Sequence, residues 1–331
     1  MAQRQESDAV TTLARPDSVG RLLPSPTGKL HLGHARTFLL AYWHARSRGG
    51  RLVLRIEDLD APRVVPGAAD DIVRDLTWLG VDWDGPVVLQ SNELARSVAA
   101  CDALIGRGLA YACVCSRGDL RTARSAPQAG VVEPRYPGTC RGRFASVAEA
   151  ERITGKPAGV RFRVEPGSVE LVDSFVGPFS TNVADDVGDF LIARKGGLPA
   201  YQLAVVVDDA AQGVTEVVRA DDLLSSTARQ HLLQRALALP EPSYWHVPLV
   251  VDGAGRRLAK RADDLSIAEL RARGAEPRAV VSWVARTAGI VDAVRESAAE
   301  LVPRFSMARV PHVQVSAERV LEELALRGPN R

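Results

Sequence analysis

The feature that most constrains the fold is the alternation of strand and helix patterns in the first third of the chain. A short apolar segment, Gly20 to Leu23, precedes a helical pattern at 34 to 46. The run GGRLVLRIED predicts a turn, a buried strand and a carboxylate cluster at the end of that strand. Two amphipathic helical patterns follow, AADDIVRDLTWLG and ELARSVAACDALIGRG, and each ends near a glycine. This order predicts an α/β protein with a parallel sheet.

The pattern changes near Tyr111, where cysteines, prolines and small residues accumulate. Two short strand patterns follow, GVRFRV and VELVDSF, and the apolar run AYQLAVVVDD at 200 to 209 predicts a buried strand that ends in Asp208 and Asp209. From Ser266 onward the patterns are helical. We therefore predict a disordered tail at 1–16, a catalytic α/β domain formed by 17–111 and 196–262, an inserted module at 112–195, and a helical C-terminal region at 263–331.

Composition limits the class of protein. The chain has 331 residues, more than one ordinary core needs, and its net charge of +2 predicts no strong general affinity for polyanions. No apolar run is long enough for a membrane span, and residues 1–16 lack the apolar core of a signal peptide. Four cysteines in a chain of this length do not form a disulfide framework, so we expect a cytoplasmic protein.

The stretch LLPSPTGKLHLGHART contains the first candidate site. Gly28 and Lys29 do not have the spacing of a P-loop. His31 and His34 lack a nearby cysteine or carboxylate that could complete a zinc site. A helix N-terminus under a phosphate fits better, because its free amides and two imidazoles would face negative charge. Gly33 would let a flat base or ribose approach the backbone. Taken alone, the two histidines are equally consistent with an ordinary helix surface.

The second candidate site is RRLAKRADD, at 256 to 264. A basic run of this kind beside glycines is typical of a solvated loop. It could instead bring Lys260 onto a triphosphate.

Together these stretches resemble the class I aminoacyl-tRNA synthetases. HLGH is similar to their His-x-Gly-His signature, and RLAKR is similar to a degenerate Lys-Met-Ser-Lys-Ser loop. PSPTG-x-LHLGHART with LRIEDLDAPR resembles the glutamyl branch. The segments CVC at 113 to 115, YPGTC at 136 to 140 and LPAYQLAVVVDDAAQGVTEVVRADDL resemble the glutamyl-queuosine tRNA(Asp) synthetase family. Members of that family lack the anticodon-binding domain, in agreement with the 67 residues that follow Asp264.

The resemblance implies a class I Rossmann-like parallel sheet with an inserted zinc-binding or acceptor-type module and a short helical C-terminal region. It implies activation of L-glutamate by ATP with Mg²⁺ and without tRNA, and then transfer of glutamate to queuosine in the anticodon of tRNA(Asp). We expect a monomer that does not bind membranes. Two alternatives stay open: a truncated glutamyl-tRNA synthetase that charges an acceptor end, and a non-catalytic RNA-binding protein. A dehydrogenase is disfavoured, because its glycine fingerprint is missing after the first strand.

The resemblance also implies roles for individual residues. The ATP site would contain His31, Gly33, His34 and Lys260, with His31, His34 and Lys260 catalytic. The glutamate site would contain Arg21, Leu22, Leu23, Pro24, Ser25, Glu57, Tyr201 and Arg219. One structural Zn²⁺ would be held by Cys113, Cys115, Tyr136 and Cys140. Arginines in and around the module would contact RNA phosphates: Arg117, Arg121, Arg124, Arg141 and Arg143.

The residues by themselves leave other readings open. Arg21 and Arg219 could form surface ion pairs, and Tyr201 could be a packed aromatic residue. The cysteines could be free buried thiols.

Overall fold

The computed structural model describes residues 17–116, 118–119, 135–258 and 265–324. The predictions for the tail at 1–16, for Lys260, and for Arg117, Arg121 and Arg124 lie outside these residues. Among the described residues, no helix is both long enough and apolar enough to span a bilayer.

The described strands and helices are as follows. The strands are β1 (Val19–Leu22), β2 (Arg51–Ile56), β3 (Val88–Leu89), β4 (Ala110–Cys113), β5 (Gly159–Phe162), β6 (Val169–Asp173), β7 (Gly177–Thr181), β8 (Phe190–Ala193), β9 (Glu216–Ala220), β10 (Ser243–Val247), β11 (Val250–Val251) and β12 (Val315–Ser316). The α-helices are α1 (Leu32–Ser47), α2 (Ala68–Trp78), α3 (Leu94–Gly106), α4 (Val147–Thr154), α5 (Val183–Asp186), α6 (Tyr201–Ala211), α7 (Leu224–Leu237), α8 (Ile267–Ala272), α9 (Pro277–Thr287), α10 (Ala298–Leu301) and α11 (Val320–Glu323).

A layer of parallel strands forms the centre of the molecule. Strands β1, β2 and β3 pair in parallel in that order, and β9 pairs in parallel with β10. The two groups meet where Thr215 N donates to Val19 O at 2.9 Å. The prediction of a parallel α/β sheet is therefore confirmed.

The main core joins helix α1 to the sheet and to the C-terminal helices. Leu39, Leu40 and Trp43 of α1 are fully buried in it. Arg36 is buried as well, and it donates to Pro248 O at 2.7 Å and to Thr287 Oγ1 at 3.1 Å. These bonds tie the start of α1 to distant parts of the chain.

The strand predicted at 200 to 209 is wrong, because this segment is helix α6. Its apolar residues are buried on every side, so the run has no period that separates a buried strand from a buried helix. Valines favour strands when considered alone, but packing against other elements overrides that preference. The strand lies a few residues later, at β9, and it carries Arg219 near its carboxyl end.

The segment between β4 and β8 is antiparallel. Strands β4, β5 and β8 form one sheet, and β6 and β7 form a hairpin. This region packs its own core with α3, α6 and α7. The boundaries predicted for the module and the other domains stay predictions.

The C-terminal region is less helical than its sequence patterns predict. Helices α8 and α9 are present, but β12 pairs in parallel with β11. Within the described residues, the last predicted helix is limited to Val320–Glu323.

Candidate active site

A cleft of about 740 Å³ opens above the carboxyl ends of the parallel strands. We call the start of α1, with His31, Gly33 and His34, the histidine end of the cleft. The arginine end is formed by Arg21, Ser25, Glu57, Tyr201 and Arg219, which all line the cleft. The structure therefore brings together residues from segments that lie far apart in the sequence.

At the histidine end, the two imidazoles cap helix α1. His31 is the N-cap residue, and its Nδ1 accepts from Gly33 N at 3.1 Å and from His34 N at 3.4 Å. His34 Nδ1 accepts from His31 N at 3.2 Å, so the two side chains form a capping box. Because Nδ1 of each ring is an acceptor, a neutral ring carries its proton on Nε2 and can donate from there.

The rings of His31 and His34 are stacked, with centroids 3.6 Å apart. His34 lines the cleft, whereas His31 is buried behind it. A Cβ on Gly33 would lie 3.0 Å from Cε1 of the His31 ring. The glycine is therefore required first by the histidine ring that packs over it, a reason that differs from the predicted approach of a base or ribose.

Lys260 lies outside the described residues, but the residues on both sides of its segment are fixed beside the cleft. Arg257 lines the cleft and forms an ion pair with Asp222. Ser266 forms a β-bridge with His31, and Ile267 N donates to Leu30 O at 2.8 Å.

At the arginine end, Asp208 and Asp209 hold arginines in place. Arg55 Nη2 donates to Asp209 Oδ1 at 2.6 Å, and Arg21 Nε lies 3.7 Å from Asp209 Oδ2. Asp208 accepts from Gln90 Nε2 at 2.7 Å. All of these side chains are buried, so the ion pairs and hydrogen bonds among them take the place of the hydration that each charge would have in water. Asp208 and Asp209 therefore support the site from helix α6, whereas the sequence predicted them at the end of a strand.

Glu57 is the carboxylate of the arginine end that lines the cleft. Its Oε2 accepts from Ser25 Oγ at 3.0 Å, while its Oε1 is buried without a hydrogen-bond partner among the described residues. Burial raises the pKa of Glu57 to about 7, against the opposing effects of Arg55, Ser25 and Arg21. Such a group can accept a cation from the cleft.

Arg219 is held by a buried network that the sequence analysis missed. Its Nε donates to His246 Nε2 at 2.8 Å, Nη1 donates to Gln230 Oε1 at 2.8 Å, and Nη2 donates to Thr227 Oγ1 at 3.0 Å. His246 in turn donates from Nδ1 to Asp173 Oδ2 at 2.6 Å. The single signal for these residues was their polar character inside apolar strand patterns, such as YWHV.

The remaining predicted glutamate-site residues fall into two groups. Leu23, Pro24 and Tyr201 line the cleft, and burial raises the pKa of the Tyr201 phenol. Leu22 is fully buried in the main core, so its side chain does not reach the cleft.

Three cysteines of the inserted segment form a cluster that could hold a metal ion. The Sγ atoms of Cys113, Cys115 and Cys140 lie within 4.8 Å of one another, and those of Cys115 and Cys140 are 3.5 Å apart. Tetrahedral zinc with thiolate ligands separates sulfurs by roughly 3.8 Å. The Tyr136 hydroxyl lies 3.4 Å from Cys113 Sγ and accepts from Cys140 N at 2.8 Å. The donor set thus fits a tetrahedral ion, and Arg161 adds a cation 3.3 Å from Cys113 Sγ.

Two of the arginines predicted to contact RNA lie within the described residues. Arg141 makes a two-pronged ion pair with Asp189, at 2.9 and 2.7 Å, so its charge is already compensated. Arg143 is exposed beside Phe144.

Comparison with known proteins agrees with this geometry. Residues 19–320 match the model of the tRNA synthetases class I (E and Q), catalytic domain. A Glutamyl-Q tRNA(Asp) synthetase from Rhodopirellula baltica is 45% identical over 285 residues, which cover 82% of this chain and 85% of that protein. A Glutamate--tRNA ligase from Synechococcus sp. is 42% identical over 80% of this chain, but the match covers only 56% of the ligase.

The fold comparison points the same way. The crystal structure of the glutamate-tRNA synthetase from Elizabethkingia anophelis has a TM-score of 0.79 and 27% identity, and the match covers 93% of this chain and 69% of that one. The chain therefore belongs to the class I aminoacyl-tRNA synthetases of the glutamate and glutamine branch, a family of ligases, and within it to the glutamyl-Q tRNA(Asp) synthetases.

Proposed function

We propose that this enzyme activates L-glutamate with ATP and transfers it to queuosine in the anticodon of tRNA(Asp), in the cytoplasm and as a monomer. The activation of glutamate is supported by the charge pattern of the arginine end. Two buried guanidinium groups, Arg21 and Arg219, line the same cleft as Glu57. The other carboxylates that line it, Asp60 and Asp222, are already paired with exposed arginines. Glutamate presents the complementary pattern of two carboxylates and one ammonium.

The first step is attack of the glutamate α-carboxylate on the α-phosphorus of ATP, which gives glutamyl-adenylate and pyrophosphate. The ammonium would pair with Glu57 and the carboxylates with Arg21 and Arg219. At the histidine end, the imidazole Nε2–H and the positive end of the α1 dipole would stabilise charge on the phosphates. Lys260 would hold the departing pyrophosphate, and Mg²⁺ would enter with ATP and neutralise part of its charge.

In the second step, a hydroxyl of the queuosine ring attacks the activated acyl carbon, and AMP leaves. The mixed anhydride is reactive, so correct orientation of the two reactants can provide most of the acceleration. The support for this acceptor is the likeness to relatives that carry the name Glutamyl-Q tRNA(Asp) synthetase.

Exchange of labelled pyrophosphate into ATP, dependent on glutamate and without tRNA, tests the first step. Charging of purified tRNA(Asp) with and without queuosine, beside tRNA(Glu), tests the second. We expect exchange without tRNA and charging only of the queuosine-bearing tRNA(Asp). Charging of unmodified tRNA(Glu) would instead support a glutamyl-tRNA synthetase, and inactivity toward ATP and glutamate would support a non-catalytic protein.

We also propose that Cys113, Cys115, Tyr136 and Cys140 bind one Zn²⁺. The ion would cross-link strand β4 to the segment that carries Cys140 and would have no part in the chemistry. Metal analysis of the purified protein should give one zinc per chain, and Cys115→Ser should lose it. Tyr136→Phe keeps the three thiolates, so this variant should still bind zinc, but more weakly than the wild type. A protein that contains no zinc after expression in zinc-supplemented medium would contradict the proposal.

A further inference from the structure

Arg219 lies in an unusual setting for a buried cation. It is 4% exposed, and its hydrogen-bond partners among the described residues are all uncharged: His246, Gln230, Thr227 and the Leu223 carbonyl. The nearest link to a negative charge passes through His246 to Asp173. A buried guanidinium without a direct counterion favours an anionic ligand in the cleft that it lines.

The hydrogen bonds determine which nitrogen of His246 carries the proton. Asp173 Oδ2 accepts from Nδ1, and Nε2 accepts from Arg219 Nε. Burial lowers the pKa of His246 although Asp173 opposes this, so the ring is neutral in its Nδ1–H form. With the other tautomer, an Nε2–H would face an arginine N–H.

We propose that Asp173 and His246 are positioning residues that aim Arg219 at the side-chain carboxylate of the substrate. The relay begins in the β6–β7 hairpin, because Asp173 is the last residue of β6. Its Oδ1 is held by the backbone amides of Phe175 and Val176, at 2.9 and 2.8 Å. Asp173 thus links the antiparallel segment to the amino-acid site of the parallel sheet. The inference rests on the proposed function.

Asp173→Asn tests the relay by reversing the tautomer. The amide oxygen would stay with the backbone N–H groups of Phe175 and Val176, which leaves the NH₂ group against His246 Nδ1. The ring would then carry its proton on Nε2 and repel Arg219 Nε–H. We expect the KM for glutamate to rise about ten- to a hundredfold, while kcat and the KM for ATP stay within about threefold.

Two substitutions at His246 separate positioning from folding. In His246→Gln the side-chain amide oxygen can occupy the position of His246 Nε2 and accept a hydrogen bond from Arg219 Nε. The KM for glutamate should therefore change less than about threefold. In His246→Asn the amide reaches only the place of Nδ1, and the KM should rise as for Asp173→Asn. Glu170→Gln is the matched control, because Glu170 is an exposed carboxylate on the same strand.

The inference is overturned if Asp173→Asn has the KM of the wild type, or if His246→Gln and His246→Asn are equally impaired. A change confined to kcat or to thermal stability would also overturn it, since that is the signature of a purely structural role. Nitrogen-15 shifts of the His246 ring provide a readout that needs no activity. A wild-type ring protonated on Nε2 would overturn the relay, whereas absent glutamate exchange with an Nδ1–H ring would overturn only the proposed function.

Discussion

At the histidine end of the cleft, the capping groups come from four consecutive residues, 31–34, whereas the arginine end assembles residues as distant as Arg21 and Arg219. The first end is held by short-range hydrogen bonds between side chains and the amides of one helix turn. The second is held by buried ion pairs and by hydrogen bonds between side chains on different elements of the fold. Local geometry is therefore enough for one end, while the other depends on the complete tertiary structure.

The largest expected effect concerns the stability of the arginine end. Asp209→Asn removes the carboxylate nearest to buried Arg55 and Arg21, so we expect a loss of about 3–5 kcal/mol in the free energy of unfolding. Urea denaturation measures this loss. Asp82→Asn is the control, because Asp82 pairs with Arg46 at the surface and should cost about 0–1 kcal/mol. Equal losses would contradict the statement that buried charge pairs hold the arginine end together.

The histidine end should show the opposite balance between activity and stability. His31→Asn keeps a good N-cap, so the free energy of unfolding should change by less than about 1 kcal/mol. It removes the ring that stacks on His34, which lines the cleft, and kcat in pyrophosphate exchange should fall about 10²- to 10³-fold. His31→Ala should lose both activity and the cap. A fully active His31→Asn enzyme would remove His31 from the proposed mechanism.

Substitution of Arg219 tests whether the arginine end recognises geometry or only charge. Lys keeps the charge but cannot reach His246, Gln230 and Thr227 together, so we expect Arg219→Lys to raise the KM for glutamate about ten- to a hundredfold. The KM for ATP should be unchanged, because ATP is proposed to bind at the other end. Steady-state exchange kinetics with each substrate varied in turn make the comparison. An equal rise in both KM values would indicate a general disturbance of the cleft.

The smallest expected effect is the pH dependence that Glu57 contributes. Its pKa is raised to about 7, so the ionised form that pairs with an ammonium becomes populated only as the pH rises through that value. The KM for glutamate should therefore rise by about tenfold per pH unit below pH 7. In Glu57→Gln the KM should be high and independent of pH between about 6 and 8. A wild-type KM that is flat across this range would contradict the role of Glu57.

The same shift has a consequence for stability, with a definite sign. The pKa of Glu57 in the folded protein lies above its ordinary value of 4.5, so the folded state binds more protons than the unfolded state between 4.5 and about 7. The contribution of Glu57 to stability is fully present below pH 4.5 and is lost as the pH rises to about 7. Denaturation of Glu57→Gln at pH 8 should therefore show no loss of stability relative to the wild type.

Several features of the structure could be predicted from residues that lie close together in the sequence. The first strands and helices and the cap at His31 follow from patterns within a few residues. Each of these patterns has one favoured local geometry, so distant parts of the chain were not needed to interpret it.

The remaining features depend on contacts between distant parts of the chain. The run at 200–209 is a helix because neighbours on every side bury it, and Asp208 and Asp209 hold arginines as a result. The link from Asp173 through His246 to Arg219 joins residues 27 and 73 positions apart in the sequence. No local pattern encodes such pairs, because a buried polar group is defined by the partners that the fold brings to it.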